Sequence, residues 1–316
     1  MKEGVGLPFT GIPTFCKFPL ISRLEGMDVD VAIIGVPLDL GTTNRTGARY
    51  GPRAIRDGSQ IYANVMQPEL GVYDVELGRY KLAKTRIADH GDVSIAPTSC
   101  EENLDPITHR VREILRHRAF PVVLGGDHSV TYPVIRAYKN VALDIVHFDT
   151  HMDFADELMG TSTSHASPIK RASELENVGE ITQIGIRGLL NPKDLFVNQA
   201  KKRGARVVTA TEAIRLGSAW VLKQIPKAEN LYVTIDIDAL DPSVAPGTGT
   251  PEPGGFTYLQ MKEMLAGVAE KGRIIGFDLV EVNPLYDPAG ITAQLAARLI
   301  LDFLGVIRER ERRRGR

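Results

Sequence analysis

Short runs rich in Val and Ile recur through this chain with segments of helical spacing between them, and that alternation limits its folds more than any other feature. The runs are 29–36, 119–124, 141–148, 181–186, 205–209, 231–237 and 273–280. They are apolar on both alternations, as strands are when helices cover both faces of a sheet. The intervening segments 105–117, 130–138, 211–224 and 257–271 have helical length and spacing, and Thr211 and Thr257 read as helix starts. Strand and helix in alternation predict an α/β fold with a parallel sheet. In such a sheet, ligands bind just beyond the carboxyl ends of the strands.

Composition is consistent with this and removes other classes. A chain of 316 residues buries roughly three quarters of its unfolded surface. Its 43% hydrophobic content and two cysteines exclude a disordered chain and a disulfide scaffold. No repeat or linker divides it, so one domain over 1–316 is expected, with an N-terminal extension of about 1–28. A formal net charge of -1 points to neither a nucleic-acid nor a membrane partner. The basic tail 308–316 holds six arginines and two glutamates and reads as a solvated helix end. No apolar run reaches the ~18 residues of a membrane span. Residues 1–20 have too many prolines and too few leading cations for a signal peptide. Cys16 and Cys100 lie far apart in unlike contexts, which predicts a reducing, cytoplasmic location.

Four clusters of acids and histidines fall at predicted strand ends: Gly125-Gly126-Asp127-His128, Asp149-Thr150-His151-Met152-Asp153, Asp236-Ile237-Asp238, and Glu281 in Val280-Glu281-Val282-Asn283-Pro284. Residues two apart on an extended chain face the same way, so Asp149, His151 and Asp153 form one row and Asp236 and Asp238 another. Four carboxylates packed together without cations would repel one another and resist ionisation. Two divalent ions balance their charge, and His128 and His151 add neutral nitrogens. Carboxylates with a minority of imidazole and no thiolate suit Mn²⁺ best, with Ni²⁺, Co²⁺ or Zn²⁺ as alternatives. Two such ions sharing a water lower its pKa toward neutrality, which predicts hydrolysis.

These motifs, together with Pro246-Gly247-Thr248-Gly249-Thr250-Pro251-Glu252, resemble the signatures of the ureohydrolases: arginase, agmatinase and the guanidino-acid hydrolases. The stretch from Arg45 to Arg56 is more similar to the agmatinase branch, and the likeness extends from about Val31 to Asn283. It implies a three-layer α/β/α sandwich with a mainly parallel eight-stranded sheet, and two Mn²⁺ per subunit. It further implies a homo-oligomer, trimer or hexamer, that attacks a small guanidino substrate with metal-bridging hydroxide and releases urea. Carried over by residue, Asp149 and Asp236 would bind both ions, His128 and Asp153 one, and His151 and Asp238 the other. Asp153 would also act as the acid/base carboxylate. Glu281 would hold the guanidinium, and His165 would be a proton shuttle or substrate ligand.

The chain departs from that pattern at Thr150, where alanine is common, and at Ala166, where glycine follows the histidine. Ala155 and Thr163 stand where arginases carry asparagines for the substrate carboxylate, so arginine is disfavoured and agmatine or a guanidino acid such as 4-guanidinobutyrate is expected. Asp156 and Glu157 either attract an amine-terminated chain or simply face solvent. Free guanidine or a cyclic ureide is the alternative substrate class. A purely structural metal site is disfavoured because it has no use for Glu281.

Overall fold

The computed structural model describes residues 7–67 and 69–314. The first six residues of the expected extension and the last two of the basic tail lie outside the described residues. In chain order the strands are β1 (Val31–Gly35), β2 (Val72–Asp74), β3 (Arg79–Lys81), β4 (Ile87–Asp92), β5 (Phe120–Leu124), β6 (Leu143–Phe148), β7 (Val178–Ile186), β8 (Arg206–Thr209), β9 (Asn230–Asp236) and β10 (Arg273–Val280). The helices are α1 (Gly51–Ala63), α2 (Glu101–Arg116), α3 (Thr131–Arg136), α4 (Pro168–Ser173), α5 (Asn198–Arg203), α6 (Ala210–Leu216), α7 (Ser218–Gln224), α8 (Tyr258–Val268) and α9 (Ile291–Arg314).

Eight strands form one sheet in the order β4-β1-β5-β10-β9-β6-β7-β8. Every pairing in it is parallel. Alternate strand residues feed two cores. Val31, Ile33, Val122 and Val233 pack with Ile55 of α1, Met261 of α8 and Leu299 of α9. Ala32, Ile34, Val123 and Tyr232 pack on the other face with Val111 of α2, Val134 of α3 and Ile169 of α4. That division produces the three layers, and it explains why the strands read as apolar on both alternations.

Seven of the eight sheet strands overlap the apolar runs; β4 does not. It buries Asp89 and His90 at the sheet edge. Asp89 is satisfied by the Arg56 guanidinium of α1 at 2.8 and 2.9 Å and by the Phe15 amide at 2.8 Å. The expected helix 211–224 is two helices, because Gly217 adopts φ 79° between them. Its first cap is Thr209, which exchanges hydrogen bonds with Glu212, and not Thr211. Thr257 caps α8 in the same way with Gln260. The basic tail forms the last turns of α9, where Arg308 pairs with Glu311 and Arg310 with Glu270. Cys16 and Cys100 are both free thiols. Among the described residues, no helix is long and apolar enough to cross a membrane.

Candidate metal centre

The four central strands β5, β10, β9 and β6 are neighbours, and their carboxyl ends deliver the four acid and histidine clusters to one edge. The turn after β5 requires its glycines. A Cβ on Gly126 would lie 1.8 Å from the Leu38 carbonyl oxygen, and one on Gly125 would lie 2.5 Å from a Val280 methyl. Asp127 then caps the short turn 128–130 by accepting from the Ser129 amide at 3.0 Å. It also accepts from the Gly41 amide at 2.7 Å, which ties the loop carrying Thr43 to the site. Burial and the nearby Glu281 push Asp127 up to about 6.

His128 Nδ1 lies 2.9 Å from Asp153, 3.0 Å from Asp149 and 3.3 Å from Asp236. His151 Nδ1 lies 3.2 Å from Asp238 and 3.5 Å from Asp149. The carboxylates also brace their own turns. Asp149 accepts from the His151 amide at 2.5 Å, Asp236 from the Asp238 amide at 2.8 Å, and Asp238 from the Thr150 amide at 3.2 Å. Two sets of ligand-type atoms result, each within 4.8 Å: His128, His147, Asp149 and Asp153, and Asp149, His151 and Asp238. Asp149 belongs to both. Asp236 belongs to neither set, and meets the centre through its contact with His128.

All of these side chains are buried except His151, which is partly so. Burial and the neighbours Asp238 and Asp149 hold Asp236 well above the ordinary carboxylate range. Burial and Asp149 push Asp238 up to about 6. Burial opposes charge on His128 too, but Asp149, Asp153 and Asp236 outweigh it and raise its pKa well above the imidazole value. The group thus demands positive charge. His128 Nδ1, His151 Nε2 and Asp238 Oδ2 are buried with no hydrogen-bond partner. Orphaned nitrogens and a carboxylate oxygen among these acids fit divalent cations.

A proton count fixes how His128 presents itself. Tyr232 donates to Asp278 Oδ2 at 2.7 Å, and Thr131 gives its only hydroxyl proton to the same oxygen at 3.0 Å. Thr131 therefore accepts from Thr234, 3.3 Å away, and Thr234 in turn accepts from His128 Nε2 at 2.9 Å. That assignment puts a proton on Nε2 and makes Nδ1, once it gives up its own proton, the nitrogen that a cation would meet.

The remaining sequence-predicted residues adjoin this centre. Glu281 Oε1 accepts from the His128 amide at 3.0 Å and lies 3.2 Å from His165 Nδ1. His165 Nε2 contacts the Thr43 hydroxyl at 2.9 Å. Although burial opposes it, the Glu281 carboxylate raises His165 to about 9. Asp153 and Glu281 both have left-handed backbones, at φ 50° and 63°. Such strain in non-glycine residues persists only where the surroundings hold it, and functional sites are where it collects. The Asp153 carbonyl is held by the Ile169 and Lys170 amides at the start of α4, and the Glu281 amide by the Gly126 carbonyl.

His147 is a participant that the sequence reading passed over. It donates from Nε2 to Asp149 at 2.7 Å and accepts at Nδ1 from Gln183 at 3.0 Å. Its place two residues before Asp149, in the same row, was the available signal. Also unforeseen is an apolar wall. A cavity of about 230 Å³ opens from His151, Asp153, His165, Asp236 and Glu281 onto Leu158, Met159 and a segment from Leu189 to Phe196. Ala166 lines it as well. Asp156 is turned away onto Arg171 and Lys170, Thr163 donates to Glu101 at 2.7 Å, and Glu157 is exposed.

Known proteins are similar to this chain in sequence and fold. The guanidinobutyrase of Pseudomonas aeruginosa is 36% identical over 307 residues, 95% of this chain and 93% of its own length. The mitochondrial guanidino acid hydrolase of Homo sapiens is 35% identical over 301 residues, 93% of this chain and 82% of that protein. The crystal structure of a hypothetical agmatinase from Burkholderia thailandensis superposes with a TM-score of 0.84 at 32% identity, covering 96% of this chain and 93% of that one. A sequence model described as Arginase family matches residues 29–305, which takes in every cluster at the sheet edge. By that match and by its all-parallel eight-stranded sheet, the chain belongs to the arginase family.

Proposed function

We propose that this arginase-family hydrolase cleaves a guanidino compound to urea and an amine at two divalent ions held by His128, Asp149, His151, Asp153, Asp236 and Asp238. The observation that carries the reading is the meeting of four buried carboxylates and two imidazoles at one sheet edge, with Glu281 beside the same space. The names of the relatives, a guanidinobutyrase and a guanidino acid hydrolase, support the substrate class. Asp149, which belongs to both sets of ligand-type atoms, would serve both ions, and Asp236 would be a further shared carboxylate. Mn²⁺ suits this donor set, with Ni²⁺, Co²⁺ or Zn²⁺ as alternatives. When bound, the ions supply Lewis acidity that lowers the pKa of water toward neutrality.

The chain's own residues do the rest. Glu281 receives the planar guanidinium, whose paired N–H donors match a carboxylate. The His128 amide and the His165 ring fix one of its oxygens and leave the other for substrate. Asp153 takes the proton released as water attacks the guanidino carbon and delivers it to the departing nitrogen. His165, anchored by Thr43, stands next to Glu281 to move a proton or bind substrate. Urea release from agmatine, 4-guanidinobutyrate, 3-guanidinopropionate, arginine and guanidine by the metal-loaded protein tests the proposal. Urea from at least one is expected; none from any would overturn it.

A further inference from the structure

We infer that the site prefers guanidino compounds whose substituent is a neutral apolar chain over those that end in a carboxylate or an ammonium. The inference rests on the hydrolase reading above and deepens it. Beyond the reacting end, the cavity is walled by Leu158, Leu189, Leu190, Pro192, Leu195 and Phe196. The charged groups that line it, Asp153, Asp236 and Glu281 with the two histidines, all belong to the reacting end, and no lysine or arginine lines it. A substrate held at Glu281 therefore sends its tail among leucines.

Most charged side chains of the flanking loops are engaged elsewhere, and Glu157, beside Leu158, is exposed and outside the cavity lining. Lys170 and Arg171 pair with Asp156 and Glu174. Arg45, in the loop that carries Thr43, has its guanidinium 4.9 Å from the centre of the Tyr286 ring. Lys193 and Asp194, which follow Pro192, are exposed and opposite in sign, so they set no preference.

The wall itself is apolar surface that the fold leaves uncovered. Leu189 is 95% exposed and Met159 is 81% exposed, on opposite loops of the same opening. Bare apolar side chains mark a ligand-binding groove or a protein contact, and these border the reacting end of the cavity. Apart from the Thr43 and Thr250 hydroxyls, the side chains beyond the reacting end are apolar, so a carboxylate there would exchange water for methyl groups and an ammonium would meet no carboxylate. A methylene chain would gain by each carbon it buries, and the flexible Met159 can close over it.

The reaction itself is unchanged. Water adds to the guanidino carbon, the bond from that carbon to the substituted nitrogen breaks, and the proton goes to that nitrogen. Butylguanidine would thus give urea and butylamine.

Specificity constants measured with metal-loaded protein for methyl-, ethyl-, propyl- and butylguanidine, against 4-guanidinobutyrate and agmatine, decide the matter. The expected result is a rise of about fourfold per methylene. Butylguanidine should exceed both charged compounds by about tenfold or more. A flat alkyl series would overturn the inference and leave the hydrolase reading standing, as would turnover of either charged compound equal to or better than that of butylguanidine. Urea from none of the six would overturn the inference, and urea from none of the earlier panel either would bring down the hydrolase reading with it. Leu190, about half exposed at 52%, accepts a long polar side chain without disturbing the core. Leu190→Arg should shift the ratio of specificity constants toward 4-guanidinobutyrate by about tenfold, with metal content unchanged. An unchanged ratio would remove this wall from substrate selection.

Discussion

His128 depends on Thr234, Thr131 and Asp278, three residues that touch none of the acids around its Nδ1. Their hydroxyl chain holds a proton on Nε2, so Nδ1, which faces Asp149, Asp153 and Asp236, is the nitrogen that a cation would meet on displacing its proton. Thr234→Val leaves that Nε2–H buried with no acceptor. Partners of this kind commonly change metal affinity by about 10- to 100-fold. The same loss is expected here in Mn²⁺ titrations, with Thr234→Ser restoring most of it. Glu281 differs because it contacts the centre only through the His128 amide and His165. Glu281→Gln should keep the metal content and lower kcat/KM by about a hundredfold or more, since the neutral amide no longer matches a guanidinium. Metal analysis and kinetics on the same preparation separate the two cases. A loss of metal in Glu281→Gln would contradict its assignment to substrate.

Among the elements, the turn after β5 and the β2–β3 hairpin carry separable stability. Gly126→Ala forces a methyl against the Leu38 carbonyl, and about 1–3 kcal/mol of destabilisation is expected. Denaturant unfolding of metal-stripped protein measures it. The hairpin is tied to α9 by Lys81, which lies 2.5 Å from Asp74 and 2.8 Å from Asp302, all three buried. Burial opposes ionisation of Asp74, but its bonds to Lys81 and to the Leu77 amide prevail and lower its pKa. A carboxyl lowered in the folded state contributes stability above its unfolded pKa of about 3.9 and loses it as pH falls through the folded value. Asp74→Asn should therefore cost about 1–3 kcal/mol at neutral pH and progressively less below pH 4, as followed by unfolding across that range. Seven sheet strands were legible because each contains a run rich in Val and Ile. By contrast, β4 was not, because Asp89 and His90 break its pattern and are buried only by virtue of Arg56. Likewise α1 buries Arg56, Ser59 and Gln60, which read as surface residues. Only the arginines of α9 stand out in the sequence, although Leu299, Ile300, Leu304 and Ile307 pack into the core. The ligand-type residues were legible by their spacing of two and by motif. His147 reads as a core residue within an apolar run, and the wall from Leu189 to Phe196 comes from a loop whose position only the tertiary fold sets.

At the scale of the whole molecule, the formal charge of -1 becomes +3 when two divalent ions are added, since -1 + 4 = +3. Such ions would bind the folded state alone, because the clusters proposed to hold them are separated along the chain. Metal at a hundredfold excess over its dissociation constant stabilises by about 2.7 kcal/mol. Chelation should therefore lower the thermal midpoint by several degrees, and Mn²⁺ should restore it. A midpoint indifferent to chelator would mean that the carboxylates tolerate one another without cations. The strand order also sets when such an ion can first be captured. During synthesis, every candidate ligand has been made once Asp238 has been added, yet β10, which lies between β5 and β9, has still to follow. Until Arg273–Val280 enters that gap, His128 and Asp236 sit on strands with nothing between them. A growing chain would therefore carry all six proposed ligands before His128 can join the other five, whose strands β6 and β9 already pair, so the complete site waits for the last strand.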